Sequence, residues 1–242
     1  TTKEKDVIVK RFSLDNKPRQ TLEKIGQSFS VTRERVRQIE KIALGKLRRT
    51  VANTKLSQIN KYAVEYLREA GGIYNENKLV AKLLNKILSK EDVDANIIKL
   101  ALSINPDIVK CEKTNLFKPF WKMQNLAMDE VKGVIEMGIS VLTKKGDVMT
   151  AEALATEIVQ NMAIKSKVVE SNFVISSLEV DKRIKKVAEG FGLSSWRHIN
   201  PRSIRDKAYI VLRKSEEPLH FVEIANRIAS SAFDKKVVTD AG

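Results

Sequence analysis

Three stretches of the chain repeat one spacing of apolar residues, and this repeat constrains the fold more than any other feature. In each stretch a leucine is followed by two further apolar residues, at the same two intervals every time. The three sets are Leu67, Leu79 and Leu83; Leu142, Leu154 and Ile158; and Leu212, Ile224 and Ile228. The offset from the first set to the second nearly equals that from the second to the third, and the first two copies end on Trp121 and Trp196. Such a period predicts three copies of one small domain, with equivalent core positions.

Each copy has the pattern of three helices followed by an extended segment. The first helix carries the leading leucine, the second carries the apolar pair, and the third begins near Asn96 or Asn172. Extended segments rich in turn residues follow at 111–121 and 187–196. This pattern describes a winged helix, and a helical repeat without a wing is the alternative. We therefore predict a mainly α fold with tandem winged-helix domains at 51–125 and 126–200, each of three helices and a small β-wing.

The third copy contains a string that resembles a known domain. Residues 206–212 read DKAYIVL and residues 218–225 read PLHFVEIA. The string is similar to the HARE-HTH domain, a winged helix of the delta subunit of bacterial RNA polymerase and of some chromatin proteins. The resemblance covers about residues 203–240 and implies a partial winged helix at 201–242. We expect its last helix and wing to follow in a longer natural chain.

Residues 1–50 have the pattern of a helix-turn-helix. Thr21 is suited to cap a short helix that begins at Leu22, and Gly26 with the polar run at 27–28 fits a tight turn after it. Thr32 is suited to cap a second, longer helix. Two helices joined by a short turn predict a helix-turn-helix over this segment.

The second of these helices is amphipathic when its residues are placed on a helical wheel that starts at Arg33 and advances by about 100° per residue. Its polar side chains centre at roughly 70° on this wheel and are Arg33, Glu34, Arg37, Gln38 and Lys41. Its apolar side chains centre at roughly 280°, on the opposite side. Arginine can bridge guanine, glutamate can accept from cytosine, and glutamine can pair with adenine in a major groove. An ordinary amphipathic helix with a solvated charged face is the alternative.

The string that spans this helix resembles the fourth conserved region of primary bacterial sigma factors. The similarity covers residues 5–49 and includes LEKIG at 22–26 and VTRERVRQIE at 31–40. It implies that the helix reads a promoter −35 element in double-stranded DNA. By position, Arg33, Glu34, Arg37 and Gln38 match the base-facing residues, and Thr32 and Arg35 match phosphate contacts. At the position of Ile42 the family usually has a basic residue. In this chain the basic residue is the preceding one, Lys41.

The same resemblance implies a partner and one further departure from the family. In the family the apolar surface of this region docks on the β flap of RNA polymerase, and the matching candidates are Val7, Ile8, Phe12 and Leu14. Packing of these four side chains in the core of the chain itself is the alternative. Gly45 stands where the family often has arginine, so recognition of an unaltered −35 hexamer is in question.

The charge of the chain is concentrated at its N-terminal end. The net charge is +14, and residues 1–50 hold 14 Lys/Arg against 6 Asp/Glu, which gives +8. A basic block of this kind attracts nucleic acid or an anionic surface. In the first repeat, Lys110, Lys113, Lys118 and Lys122 lie on the presumed wing, beside Phe117, Phe120 and Trp121. These lysines make the first repeat the better second candidate for nucleic-acid binding, and core packing is favoured for the three aromatic side chains.

The sequence contains no motif typical of a metal site, a phosphate-binding loop or a membrane span. The single cysteine, Cys111, and the two histidines form no cluster with metal-ligand spacing, and there is no glycine-rich phosphate loop. No stretch has the roughly 18 apolar residues of a membrane span. We therefore expect no cofactor, no metal, no membrane contact and no enzyme activity, with a cytoplasmic, nucleoid-associated location.

These observations favour a DNA-binding transcription factor associated with bacterial RNA polymerase. A structural adaptor that binds DNA without sequence choice is the first alternative. The DNA-recognition part of a larger nucleic-acid-processing enzyme is the second.

Overall fold

A computed structural model describes residues 1–87, 94–164, 169–201, 203–213, 215 and 217–230. Over this part of the chain the fold is mainly helical, as predicted. The helices are α1 (Thr2–Phe12), α2 (Leu22–Phe29), α3 (Arg33–Thr50), α4 (Leu56–Glu69), α5 (Glu76–Ile87), α6 (Ala95–Ile104), α7 (Met128–Lys145), α8 (Ala151–Ile164), α9 (Ser171–Val180), α10 (Ile204–Arg213) and α11 (Phe221–Ser230). The strands are β1 (Ile73–Asn75), β2 (Ile108–Cys111), β3 (Phe120–Met123), β4 (Ile184–Val187) and β5 (Gly190–Leu193).

Helices α1–α3 form the predicted helix-turn-helix and the helix before it. The hydroxyls of Thr21 and Thr32 accept hydrogen bonds from the backbone of α2 and α3, as expected of N-caps. The turn predicted at 26–28 is wrong, because these residues continue α2 and the chain turns only at Ser30. A β-carbon at Gly26 would lie 2.7 Å from the carbonyl oxygen of Val31, so the close approach of the turn to α2 requires glycine. Val7, Ile25 and Val36 close the small core of this unit.

The first repeat is built from α4, α5, α6 and a three-stranded antiparallel sheet in the order β1-β3-β2. The second repeat has α7, α8 and α9 in the same order, followed by the hairpin β4-β5. A single bridge between Met149 and Phe191 takes the place that β1 has in the first repeat. Both units therefore have three helices and a terminal hairpin. In each unit a short extended segment after the first helix pairs with the hairpin.

The repeated apolar positions are core residues in the first two units. Leu67, Leu79, Leu83, Leu142, Leu154 and Ile158 are all fully buried. In the third unit α10 packs against α11, but Leu212, the counterpart of Leu67 and Leu142, is 44% exposed. Residues 231–242, the end of the third predicted copy, lie outside the described residues.

The predicted equivalence of the two tryptophans is wrong. Trp121 lies within β3 and pairs with Tyr74, whereas Trp196 follows the end of β5. Met149 is as far along the chain from Tyr74 as Trp196 is from Trp121. It pairs with Phe191. The structural counterpart of Trp121 is therefore Phe191. The register shifts because eight residues separate β2 from β3, while two residues separate β4 from β5.

Each third helix lies against the unit that precedes it in the chain. Helix α6 packs on α1 and α3 through Leu100 and Ile104, which share a cluster with Ile8 and Ala43. Helix α9 packs on β1, and its Phe173 rests directly on Gly71. The third helix of each complete unit is thus largely covered by contacts within the chain.

Candidate nucleic-acid interface

One side of helix α3 packs against the rest of the chain, and the other side is exposed to solvent. Val36 and Ala43 are its buried residues, and at its C-terminal half it also meets α6. With 18 residues and a rise of 1.5 Å per residue it is roughly 27 Å long. An α-helix of this kind fits the major groove of B-DNA, which is about 12 Å wide.

Five of the predicted DNA-contacting residues share the polar side of α3, Thr32 is its N-cap, and Arg35 lies about 130° from the centre of that side. The side chains of all seven are exposed, and they are Thr32, Arg33, Glu34, Arg35, Arg37, Gln38 and Lys41. Five of the seven are charged, four of them positively. The structure therefore presents them as one accessible, mainly basic surface, named here the α3 surface.

Ion pairing within the α3 surface orders two of its side chains. The Arg37 guanidinium grips the Glu34 carboxylate with Nη2–Oε1 and Nε–Oε2 distances of 2.7 and 2.9 Å. This hydrogen bond lowers the pKa of Glu34 and raises the pKa of Arg37. Both groups therefore remain charged at neutral pH. Arg35 Nη1 in turn donates to Gln38 Oε1 at 3.1 Å.

The two departures from the sigma pattern also lie in the open. Ile42 is 49% exposed, so this apolar side chain has no core to fill. A β-carbon at Gly45 would meet no atom within 4 Å. Neither residue is required by packing, and either could be exchanged for a longer basic side chain without a clash.

Arg48 is a further basic residue of this helix that the sequence argument missed. It falls at roughly 60° on the same helical wheel, close to the centre of the polar arc. It is exposed, and its Nη2 donates to the carbonyl oxygen of Ser103 in α6 at 3.3 Å. Its helical position, two turns beyond Lys41, could have identified it from the sequence.

The four apolar candidates for polymerase docking are packed within the chain. Val7 and Ile8 are buried, Val7 in the core of the helix-turn-helix. Phe12 and Leu14 are half-buried in the cluster that contains Ile8 and the α6 residues. In this conformation the four side chains pack in the core of the chain, which was the alternative to docking on the polymerase.

The wing of the first repeat does not form the basic surface that its lysines indicated. Lys110 pairs with Glu76 at 3.1 Å, and the Lys118 ammonium donates to the carbonyl oxygen of Glu179 at 2.9 Å. Burial lowers the pKa of Lys118. Lys122 donates to the carbonyl oxygen of Leu126 at 2.7 Å. Three of the four lysines are thus engaged in internal contacts, and Phe117, Phe120 and Trp121 are buried.

Two features are absent from the part of the chain that the structure describes. No group of three or more His, Cys, Asp or Glu side chains in that part of the chain could hold a metal ion. Likewise, none of the described helices is both long enough and apolar enough to cross a membrane.

Comparison with known proteins identifies the N-terminal unit. Residues 1–49 match the family model described as sigma-70, region 4. The RNA polymerase sigma factor SigA of Nostoc sp. is 52% identical over 56 residues, which cover 23% of this chain and 14% of that protein. The sigma factor SigA of Clostridium acetobutylicum is 50% identical over 56 residues, which cover 15% of that protein.

These matches cover only the N-terminal part of this chain and a small part of each sigma factor. They span about a seventh of the length of the Nostoc sigma factor, since 14% of it is covered. No solved structure matches the chain. Residues 1–49 of this chain therefore match a sigma-70 region 4 domain, a DNA-binding unit, and the matches leave most of the chain uncovered.

Proposed function

We propose that the chain is a transcription factor that inserts the α3 surface into the major groove of a promoter −35-like element. The observation that carries this proposal is the exposure of all seven predicted contact residues, five of them on one side of α3, within a sigma-70 region 4 domain. The chemistry of the side chains agrees with base reading. Arg33 and Arg37 suit guanine, Glu34 suits the amino group of cytosine, and Gln38 suits adenine.

Phosphate contacts would position the helix for base reading. Thr32 and Arg35 lie at the N-terminal end of α3, and Lys41 lies two turns further along. All three are exposed. Such contacts carry affinity and register but no sequence information.

The remainder of the chain we assign to protein contacts. We propose that residues 51–125 and 126–200 are complete winged-helix repeats and that 201–242 is a partial repeat of the HARE-HTH type. In a helix-turn-helix the second helix of the pair is the one that enters the groove. The corresponding helices here, α6 and α9, are covered by the preceding units. The repeats therefore suit a rigid arm that holds RNA polymerase beside the DNA, in a nucleoid-associated and non-enzymatic role.

Docking on the polymerase β flap through Val7, Ile8, Phe12 and Leu14 would require a rearrangement. Helix α6 covers the cluster that contains three of these residues. Flap contact at these positions therefore implies that α6 leaves α1 and α3. Disulfide trapping tests this step: cysteines placed at Ser13 and Asn96, whose side chain reaches the Ser13 carbonyl at 3.4 Å, should abolish flap binding when oxidised and restore it when reduced.

The decisive experiment is a randomised-site selection with the full chain and its Glu34→Ala variant. We expect the variant to lose preference at one base pair, because a good base contact gives about 1–3 kcal/mol of discrimination. Glu65→Ala, which removes an exposed glutamate from α4, is the matched control. Binding without any sequence preference would favour the adaptor alternative. Unchanged selectivity in Glu34→Ala would remove Glu34 from the reading face.

A further inference from the structure

A polar cleft lies where the helix-turn-helix meets the first repeat, away from the α3 surface. Its volume is about 260 Å³. Arg11, Arg19 and Glu40 line it from the N-terminal unit, and Lys99, Lys110 and Trp121 line it from the first repeat. With Glu112, which also lines it, the cleft has four cations against two carboxylates, so its net positive charge is suited to an anion.

The cations differ in whether they already have partners. Arg11 pairs with Glu40 at 3.1 Å. Lys110 pairs with Glu76 at 3.1 Å and with Glu112, which also lines the cleft, at 3.3 Å. By contrast, Arg19 and Lys99 have no ion-pair partner within the described part of the chain. Two positive charges from two different units thus face the cleft uncompensated.

The indole of Trp121 adds a hydrogen-bond donor. Trp121 is 2% exposed. Its indole N–H is buried and has no acceptor among the described residues. Buried donors are paired in the large majority of cases, so this N–H lacks a partner that a ligand oxygen could supply. Trp121 lines the same cleft as Arg19 and Lys99, and a neutral donor together with cations is a suitable combination for binding an oxyanion.

We propose that this cleft binds a phosphate group. Its volume suits inorganic phosphate or pyrophosphate and is below the roughly 300–1,000 Å³ of sites for drug-sized ligands. A bound phosphate would contact both the N-terminal unit and the first repeat. By linkage, it would stabilise the docked arrangement of the two units. This inference does not depend on base reading by α3.

The test uses the full chain carrying Trp196→Phe, which leaves Trp121 as the one tryptophan of the two. Inorganic phosphate and pyrophosphate are titrated against chloride at matched ionic strength. We expect a saturable change in Trp121 emission and a rise in melting temperature with phosphate but not with chloride. Arg19→Ala and Lys99→Ala should each weaken binding about tenfold or more, because hydrogen bonds to charged groups are the strong ones. Lys61→Ala, an exposed lysine of α4, should bind as before.

Two further measurements complete the test. Trp121→Phe, followed by the phosphate-induced rise in melting temperature, should lose most of that rise because the N–H donor is gone. If the phosphate comes from the DNA backbone, Arg19→Ala and Lys99→Ala should each lower the salt dependence of DNA binding, by about 0.9 in log–log slope per phosphate. If it comes from a free ligand, that slope should not change. The proposal is overturned if phosphate acts no differently from chloride, or if the cleft variants bind phosphate as tightly as Lys61→Ala.

Discussion

Gly71 makes the docking of the second repeat on the first possible, and its replacement by alanine tests that interface. Its φ is +76°, in the left-handed region, and a β-carbon there would lie 2.4 Å from Cβ and 2.5 Å from Cα of Phe173. The clash involves the backbone of α9, so a change of rotamer cannot relieve it. The start of α9 would have to move away from the first repeat.

The magnitude follows from what that movement breaks. A left-handed conformation costs alanine about 1–2 kcal/mol. Exposure of the buried Phe173 side chain adds about 1.5–3 kcal/mol. Loss of the 3.0 Å hydrogen bond from Asn172 Nδ2 to the Glu69 carbonyl adds about 0.5–1.5 kcal/mol. We therefore expect Gly71→Ala to lower the free energy of unfolding by about 3–6.5 kcal/mol.

The second repeat supplies a matched control. Gly146 has the same offset from Gly71 as Leu142 has from Leu67. Its φ is +74°, but a β-carbon there would meet nothing within 4 Å. Gly146→Ala should therefore cost only the backbone term, about 1–2 kcal/mol. The difference between the two variants measures the interface between the repeats.

Thermal and urea unfolding of both variants provide the assay. For a chain of this size, 1 kcal/mol corresponds to about 2–4 °C in melting temperature, so the two variants should differ by at least about 4 °C. Equal losses of stability in Gly71→Ala and Gly146→Ala would refute the reasoning, since the contact with Phe173 would then contribute nothing.

Three further predictions concern separate parts of the chain. Gly45→Ala should raise the free energy of unfolding by about 1 kcal/mol in urea titrations, because the site is helical and open; a loss of stability would contradict this. Arg35→Ala should reduce the log–log salt slope of DNA binding by about 0.9, measured by fluorescence anisotropy, and an unchanged slope would exclude a phosphate contact. Leu67→Ala should cost about 2–5 kcal/mol, whereas Leu212→Ala, at a 44% exposed position, should cost far less; equal costs would show that the third unit has a closed core.

Local chemistry was readable from the sequence because it depends on residues close together in the chain. The N-caps at Thr21 and Thr32 and the polar arc of α3 follow from side-chain type and helical period alone. The repeat spacing likewise located core positions such as Leu67 and Leu142, because two copies of one small fold bury equivalent residues. The sigma-like string, and with it the candidate DNA-contacting residues, belongs to the same class of local information.

The tertiary structure decided which surfaces remain available and how the strands align. The docking of α6 on α1 and α3 buries Ile8 and half-buries Phe12, and no spacing within residues 1–50 reports a contact made by Leu100. The register of β3 and β5 depends on wing loops of unequal length, so Trp121 corresponds to Phe191 although Trp196 has the more suggestive interval. The polar cleft beside Arg19 and Lys99 is formed by two units, and it exists only because contacts far apart in the chain bring them together.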